Sequence, residues 1–206
     1  MYLKNQDNSD THLSKTLCWL LRHGAVKEGL IIKSDGYIPV KDLLNHEALK
    51  GKYSLTDVKR VVENNSKQRF NQRYESDALE ICANQGHSLR GIDNLELKPI
   101  TETESITVIH GTYLKNWNSI RNTGINRMKR NHIHFATGLP NDNKVISGIR
   151  QDAEIVIYIN LQLALLDGLK FYKSTNGVVL SPGNENGTIL PKYFLKVLEK
   201  SGKKLV

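Results

Sequence analysis

Cysteine is scarce in this chain. Its 206 residues hold two, Cys18 and Cys82, far apart and each in an apolar setting. That excludes a disulfide framework and fits reduced core thiols of an intracellular protein, in the cytoplasm, the nucleus or both. No apolar run reaches the roughly 18 residues of a membrane span, so no membrane partner is expected. Met1 to Asp10 is polar and carries acids, unlike a secretory signal, and argues against a transit peptide. Gly-x-Gly-x-x-Gly and the P-loop are absent, and with them the standard Rossmann and Walker modes of nucleotide binding. There is no nucleophile elbow for a serine triad. Internal repeats and low-complexity segments are missing too. What remains, 39% hydrophobic and 24% charged, is an ordinary globular composition.

One further absence is local. Between Glu104 and Asp142 there is no acidic residue, while Lys115, Arg121, Arg127, Lys129, Arg130, His110, His132 and His134 all fall there. The net charge of +8 is spread over both halves, +3 in residues 1–90 and +5 in 91–206, so a polyanionic partner would touch both. Ile106-Thr107-Val108-Ile109 reads as a strand running into His110-Gly111-Thr112, where glycine permits a tight turn. In Arg130 to Phe135 a period of two puts Arg130, His132 and His134 on one face. Two readings stand: a solvated basic surface with one core histidine, or a phosphate-binding face. A zinc site on His132 and His134 has no cysteine pair or carboxylate beside it, and five nearby cations would repel the ion, so no metal is expected.

In the N-terminal half, Leu13, Leu17, Leu20 and Leu21 make an amphipathic stripe. Asp10 or Thr11 can cap the helix and Gly24 can close it in the left-handed conformation. Arg22 and His23 then sit in the last turn, where cations suit the helix dipole; spacing alone favours that over a ligand role. Ser34-Asp35-Gly36 reads as a turn, Lys41 to Leu49 as a short helix, and Ser54 to Asn64 as a helix with a Ser54–Asp57 capping box. Gln68 to Ala83 reads as a hairpin. Three helices and a hairpin is the winged-helix order.

After a polar stretch around Pro99, the C-terminal half alternates short strands with two short helices. These are Leu114 to Asn122, ended by Gly124 with Trp117 as core, and Gln162 to Asp167. The expected fold is α+β: an N-terminal winged-helix lobe, residues 1–92, a linker, 93–104, and a C-terminal antiparallel β-sandwich lobe, 105–206. Cations with no evident base or metal fit a reaction whose substrate brings its own nucleophile, as a phosphate does.

Seven short motifs follow one another in order: Leu21-Arg22-His23-Gly24, Lys67-Gln68-Arg69-Phe70, Ala83-Asn84-Gln85-Gly86-His87-Ser88, His110-Gly111-Thr112, Arg130-x-His-Ile-His134, Ser147-Gly148-Ile149-Arg150 and Ser174-x-Asn176-Gly177-Val178. Together, over residues 12 to 196, they resemble the tRNA 2′-phosphotransferase (KptA-like) family. The resemblance implies a winged-helix RNA lobe and an ADP-ribosyltransferase-like lobe. It implies NAD-dependent removal of a splice-junction 2′-phosphate from tRNA. That reaction passes through an ADP-ribosylated 2′-phospho-RNA and yields 2′-hydroxyl RNA, ADP-ribose 1″,2″-cyclic phosphate and nicotinamide, without a metal. Carried over by position, it makes Arg22, His23, Arg69 and Arg130 catalytic. His110, Gly111, Thr112, His132, His134, Ser147, Gly148, Arg150, Ser174, Asn176 and Gly177 would line the NAD side, and Asn84, Gln85 and His87 would face RNA. A monomer is expected.

Two positions depart from the pattern. Cys82 and Lys173 stand where the family usually has arginine; a thiol makes no charged phosphate contact, and lysine lacks the bidentate fork. The rival expectations are a transferase that places ADP-ribose on terminal phosphates of RNA or DNA, and a non-catalytic RNA-binding winged-helix protein.

Overall fold

The computed structural model describes residues 2–92, 95–101, 106–140, 142–143 and 145–206. The chain forms two compact units, residues 1–96 and 97–206, each with its own apolar core.

The first unit starts with α1 (Tyr2–Trp19), longer at its front than the sequence suggested. Asp10 does not cap it. Its carboxylate instead receives the Arg60 guanidinium through two bonds of 3.0 and 2.7 Å. The leucine stripe is as expected: Leu13, Leu17, Leu20 and Leu21 are fully buried. At Trp19 the helix widens. Leu20–Gly24 form a π-turn, closed by the Ala25 N–H on the Leu20 carbonyl at 2.9 Å. This corrects the expectation of a left-handed Gly24, since Gly24 is not among the glycines with positive φ and the chain continues right-handed through Ala25.

β1 (Ile38–Pro39), α2 (Val40–Asn45), α3 (Leu55–Glu63), β2 (Phe70–Glu75) and β3 (Ala78–Ala83) follow. The strands form one antiparallel sheet, ordered β1-β3-β2. The capping box at α3 is present: Ser54 Oγ accepts from the Asp57 N–H, and Asp57 accepts from the Ser54 N–H at 2.8 Å. Buried Glu80 on β3 ties the sheet to the loop before β1, reaching Lys33 at 2.6 Å and Arg73 at 3.0 Å.

The second unit holds β4 (Lys98–Pro99), β5 (Ile109–Thr112), α4 (Leu114–Thr123), β6 (Ile125–Asn126), β7 (Ile133–Phe135), β8 (Ile155–Ile159), α5 (Leu161–Leu166), β9 (Tyr172–Lys173), β10 (Val179–Ser181), β11 (Thr188–Ile189) and β12 (Phe194–Glu199). They make antiparallel sheets ordered β4-β9-β10-β7, β12-β8-β5 and β11-β6. The first two meet at a bridge between Ile109 and Ala136. Within the stretch read as linker, residues 93, 94 and 102–105 lie outside the described residues. Lys98–Pro99 pair with β9 at the sheet edge, where proline's missing N–H is tolerated. Trp117 packs on the core, as expected.

Candidate active site

Three of the motifs converge inside the first unit, through hydrogen bonds that the loop after β3 makes in two directions. Toward β2, the Asn84 N–H donates to the Arg69 carbonyl at 2.9 Å. The Asn84 side-chain amide donates to the Gln68 carbonyl at 2.7 Å and the Phe70 carbonyl at 3.3 Å. Asn84 thereby grips the backbone on both sides of Arg69, next to Gln68 in a strained left-handed conformation, φ +43°. Toward the π-turn, the Ser88 N–H donates to the Arg22 carbonyl at 2.9 Å, and Ser88 Oγ lies 2.8 Å from His23 Nδ1. Between them Gly86, at φ +95°, presents its backbone to the Arg22 guanidinium; an added Cβ would stand 3.4 Å from Arg22 Cζ. Gln85 and His87, expected to face RNA, are buried.

Arg22, His23 and Arg69 line a cleft of about 650 Å³, with Ser14, Lys15, Cys18, Trp19, Asn65 and Ser66 among its other walls. Asn65 Oδ1 accepts from the Arg69 N–H at 3.0 Å and lies 3.4 Å from Arg69 Nη1, a neutral support that leaves the guanidinium's charge uncompensated. Sequence reasoning missed Asn65 and Trp19, whose spacing marks nothing, and it gave Ser88, the last residue of its motif, no role. It also placed both thiols in the core. Cys82 is there, its thiol pushed up to about 11 by burial. Cys18, half-buried, packs against the first unit's core and also lines the cleft; burial raises its pKa against the opposing pull of Arg22 and Arg69.

In the second unit His110 sits on β5, its ring edge-on to Phe135. Its Nδ1 lies 3.0 Å from the His134 carbonyl, which can only accept, so that nitrogen carries the proton and Nε2 is the acceptor. Burial, aided by Arg130, lowers its pKa and keeps the ring neutral at pH 7. Gly111 is not a turn residue. It lies within β5 opposite Val156, and a Cβ there would meet Ile149 at 2.5 Å and Ala153 at 2.9 Å. The missing side chain is what seats the Ser147–Arg150 segment on β5. Thr112, also on β5, is buried. Arg150 donates to the Tyr113 hydroxyl at 2.8 Å, and that hydroxyl donates to Asp152 at 3.1 Å. Tyr113 was not singled out in the sequence.

The strand through Arg130 is shorter than expected. Only Ile133–Phe135 are paired, so alternation does not set Arg130 and His132 beside His134. They lie in a turn where Arg127 Nη1 donates to the Arg130 carbonyl at 2.9 Å and Met128 takes φ +57°. Partial burial and then the charge of Arg150 lower the Arg130 pKa. His132 stands edge-on to Tyr172, and His134 lies opposite Leu180. The last motif is the β9–β10 turn. Buried Ser174 Oγ lies 2.8 Å from Asn176 Oδ1 and accepts from the Val178 N–H at 3.1 Å, and Gly177 takes φ +78°.

Comparison with known sequences adds the following. The family described as RNA 2′-phosphotransferase, Tpt1 / KptA family, matches residues 8–183. The tRNA 2′-phosphotransferase 1 of Danio rerio is 45% identical over 196 residues, 93% of this chain and 86% of that one. The human tRNA 2′-phosphotransferase 1 is 45% identical over 198 residues, 94% and 78% of the two chains. The tRNA 2′-phosphotransferase of Saccharomyces cerevisiae is 42% identical over 184 residues, 85% and 80%.

Proposed function

This chain belongs to the Tpt1/KptA family of RNA 2′-phosphotransferases, and from that premise we propose how its residues carry out the reaction. It is an enzyme, a tRNA 2′-phosphotransferase. The observation that carries the assignment of residues is the convergence of Arg22, His23 and Arg69 on one cleft.

The family uses NAD as co-substrate, and the residues of the second unit fit it. A neutral His110 whose Nε2 accepts a hydrogen bond suits a ribose hydroxyl. The Arg150 guanidinium suits phosphate oxygens. His110, Thr112, Arg150, Ser174 and Asn176 would hold NAD, Gly111, Ser147, Gly148 and Gly177 shaping the segments that carry them, with His132 and His134 beside them. NAD supplies an electrophilic anomeric carbon, with nicotinamide as its leaving group and a 2″-hydroxyl alongside.

The other roles fall to the chain's own groups. Arg22, Arg69 and Arg130 receive the RNA 2′-phosphate and align one of its oxygens as nucleophile; their charge stabilises the phosphoryl group when the 2″-hydroxyl attacks it later. That second displacement needs a proton removed from the attacking hydroxyl and one returned to the departing RNA 2′-oxygen. His23 is the group for this exchange. Ser88 engages its Nδ1 and so assigns the exchange to Nε2. The first unit serves as the winged-helix RNA lobe and the second as the ADP-ribosyltransferase-like lobe. The Asn84–Ser88 loop holds the catalytic pair beneath the RNA.

The test uses RNA with one internal radiolabelled 2′-phosphate, with and without NAD, in EDTA. NAD-dependent passage of the label to a small cyclic phosphate is the expected result, and its survival in EDTA excludes an essential divalent metal. Label retained on RNA as an ADP-ribose adduct would mean a transferase that stops after the first displacement.

A further inference from the structure

Among the large exposed apolar side chains of the described residues, Trp19 stands in a distinctive place. Its residue surface is 42% exposed, and it forms part of the wall of the cleft that holds Arg22, His23 and Arg69. A large apolar ring is costly to leave in water, and here it is set among polar and charged groups of both signs, Asp7 and Asp10 as well as Lys15, Arg22 and Arg69. The backbone holds it there. Trp19 is the residue on which the π-turn begins, and a Cβ at Gly24 would stand 2.8 Å from its Cη2 and 2.9 Å from its Cζ2 and Cζ3. Gly24 is bare where the benzo ring lies against it, so the ring is braced on one side and open to the cleft. Lys15, one turn earlier on α1 and in the same wall, adds a cation.

We propose that the Trp19 indole is a stacking platform for a nucleobase of the RNA, the base next to the 2′-phosphate that Arg22 and Arg69 receive. This rests on the reaction proposed above. A flat ring beside a row of cations is the combination by which proteins hold single-stranded nucleic acid. The cations follow the phosphates and the ring takes a base, whichever base it is, because every base has a π-face. NAD also carries planar rings. RNA is favoured because three cations, Arg22, Arg69 and Lys15, share the cleft wall against Asp7 and an Asp10 already paired with Arg60, a balance that suits a polyanionic strand.

The chain has two tryptophans, so Trp117→Phe leaves Trp19 as the one indole reporter. That variant is titrated with a short oligoribonucleotide bearing one internal 2′-phosphate, and separately with NAD alone. Saturable quenching by the RNA and none by NAD is expected. In the otherwise unaltered chain, Trp19→Leu keeps apolar bulk without a ring, and should weaken RNA binding on the order of tenfold and raise KM more than it lowers kcat. Trp19→Phe should recover most of the loss, which a merely structural residue would not require. Equal RNA affinity in Trp19→Leu and the unaltered chain, or quenching by NAD alone, overturns the platform. Turnover of labelled RNA by the unaltered protein is measured alongside. If turnover is normal and Trp19 is silent, the platform fails and the reaction stands. If turnover is absent while quenching and the Leu–Phe difference persist, the reaction fails and the platform stands.

Discussion

The two units hold the same kinds of side chain, arginine and histidine, by opposite means. In the first, position comes from hydrogen bonds to neutral partners, Asn65 for Arg69 and Ser88 for His23, while the Arg22 guanidinium lies along the bare backbone of Gly86. In the second, it comes from close packing: His110 against Phe135, and the segment of Arg150 seated on Gly111. The first unit also contains its own control. Arg60 and Arg73 are bound to carboxylates, Arg60 to Asp10 and Asp57, Arg73 to Asp35, Glu75 and Glu80. Their charge is already answered. An arginine fixed by an amide keeps its charge for a substrate, and that is the difference expected between the guanidiniums proposed to act on the phosphate and the structural ones.

The sharpest way to break this comparison is to remove one arginine of each kind. Arg69→Ala should lower kcat by about 10²–10³ with little change in melting temperature, since one preorganised charge on a transferring phosphoryl group is lost. Arg69→Lys should recover part of that, having the charge without the fork. Arg60→Ala should lower the melting temperature and leave kcat alone. Equal effects on kcat would end the distinction. Next in size is Glu80→Ala. Glu80 is 3% exposed and faces Lys33 and Arg73, both partly in water. The unfolding free energy should fall by about 2–3 kcal/mol, below a fully buried pair because those partners can rehydrate.

Two histidines give the second unit a pH dependence near neutrality. Burial lowers the pKa of His110 and of His132 in the fold, aided by Arg130 and Arg127 respectively. Unfolded, each takes up a proton below about pH 6.5. The unfolded state then binds more protons, so stability falls as pH drops through that value, by up to about 1.4 kcal/mol per unit for each ring. Hydrogen exchange at β5 and β7 between pH 7.5 and 5.5 should show this loss, with a smaller slope in His132→Asn. Asp57 acts elsewhere. Its carboxyl is held low by Ser54, so its contribution is lost only as pH falls well into the acid range.

Much of this was legible in the sequence, and the failures share a cause. The leucine stripe, the Ser54–Asp57 box, the hairpin and the Gly124 stop are local patterns, and they came out as read. The motif order located Arg22, His23 and Arg69 before any geometry showed them in one cleft. Misread were Gly24, Gly111 and the Arg130 strand. In each, a side-chain contact that periodicity does not encode decides the local structure: Trp19's ring excludes a side chain at Gly24, Ile149 does so at Gly111, and Arg127 bends the chain at Arg130. Asn65 and Tyr113 were invisible, and Ser88 had a motif but no role, because their chemistry is ordinary. What distinguishes them is the neighbour each touches.

Ser88 tests the comparison at its finest grain. Its hydroxyl meets His23 Nδ1 at 2.8 Å while its backbone N–H holds the Arg22 carbonyl, so Ser88→Ala removes the first contact and spares the second. A single hydrogen bond contributes about 1 kcal/mol net, and the variant should therefore lose about fivefold in kcat. The loss should fall on the second displacement, where His23 moves protons, and ADP-ribosylated RNA should accumulate in single-turnover assays. Ser88→Thr restores the hydroxyl and should restore the rate. If Ser88→Ala slows both displacements equally, the loop is acting through Arg22's backbone rather than through His23. Hydrogen-bonded positioning would then be a property of the π-turn as a whole and not of the imidazole it carries.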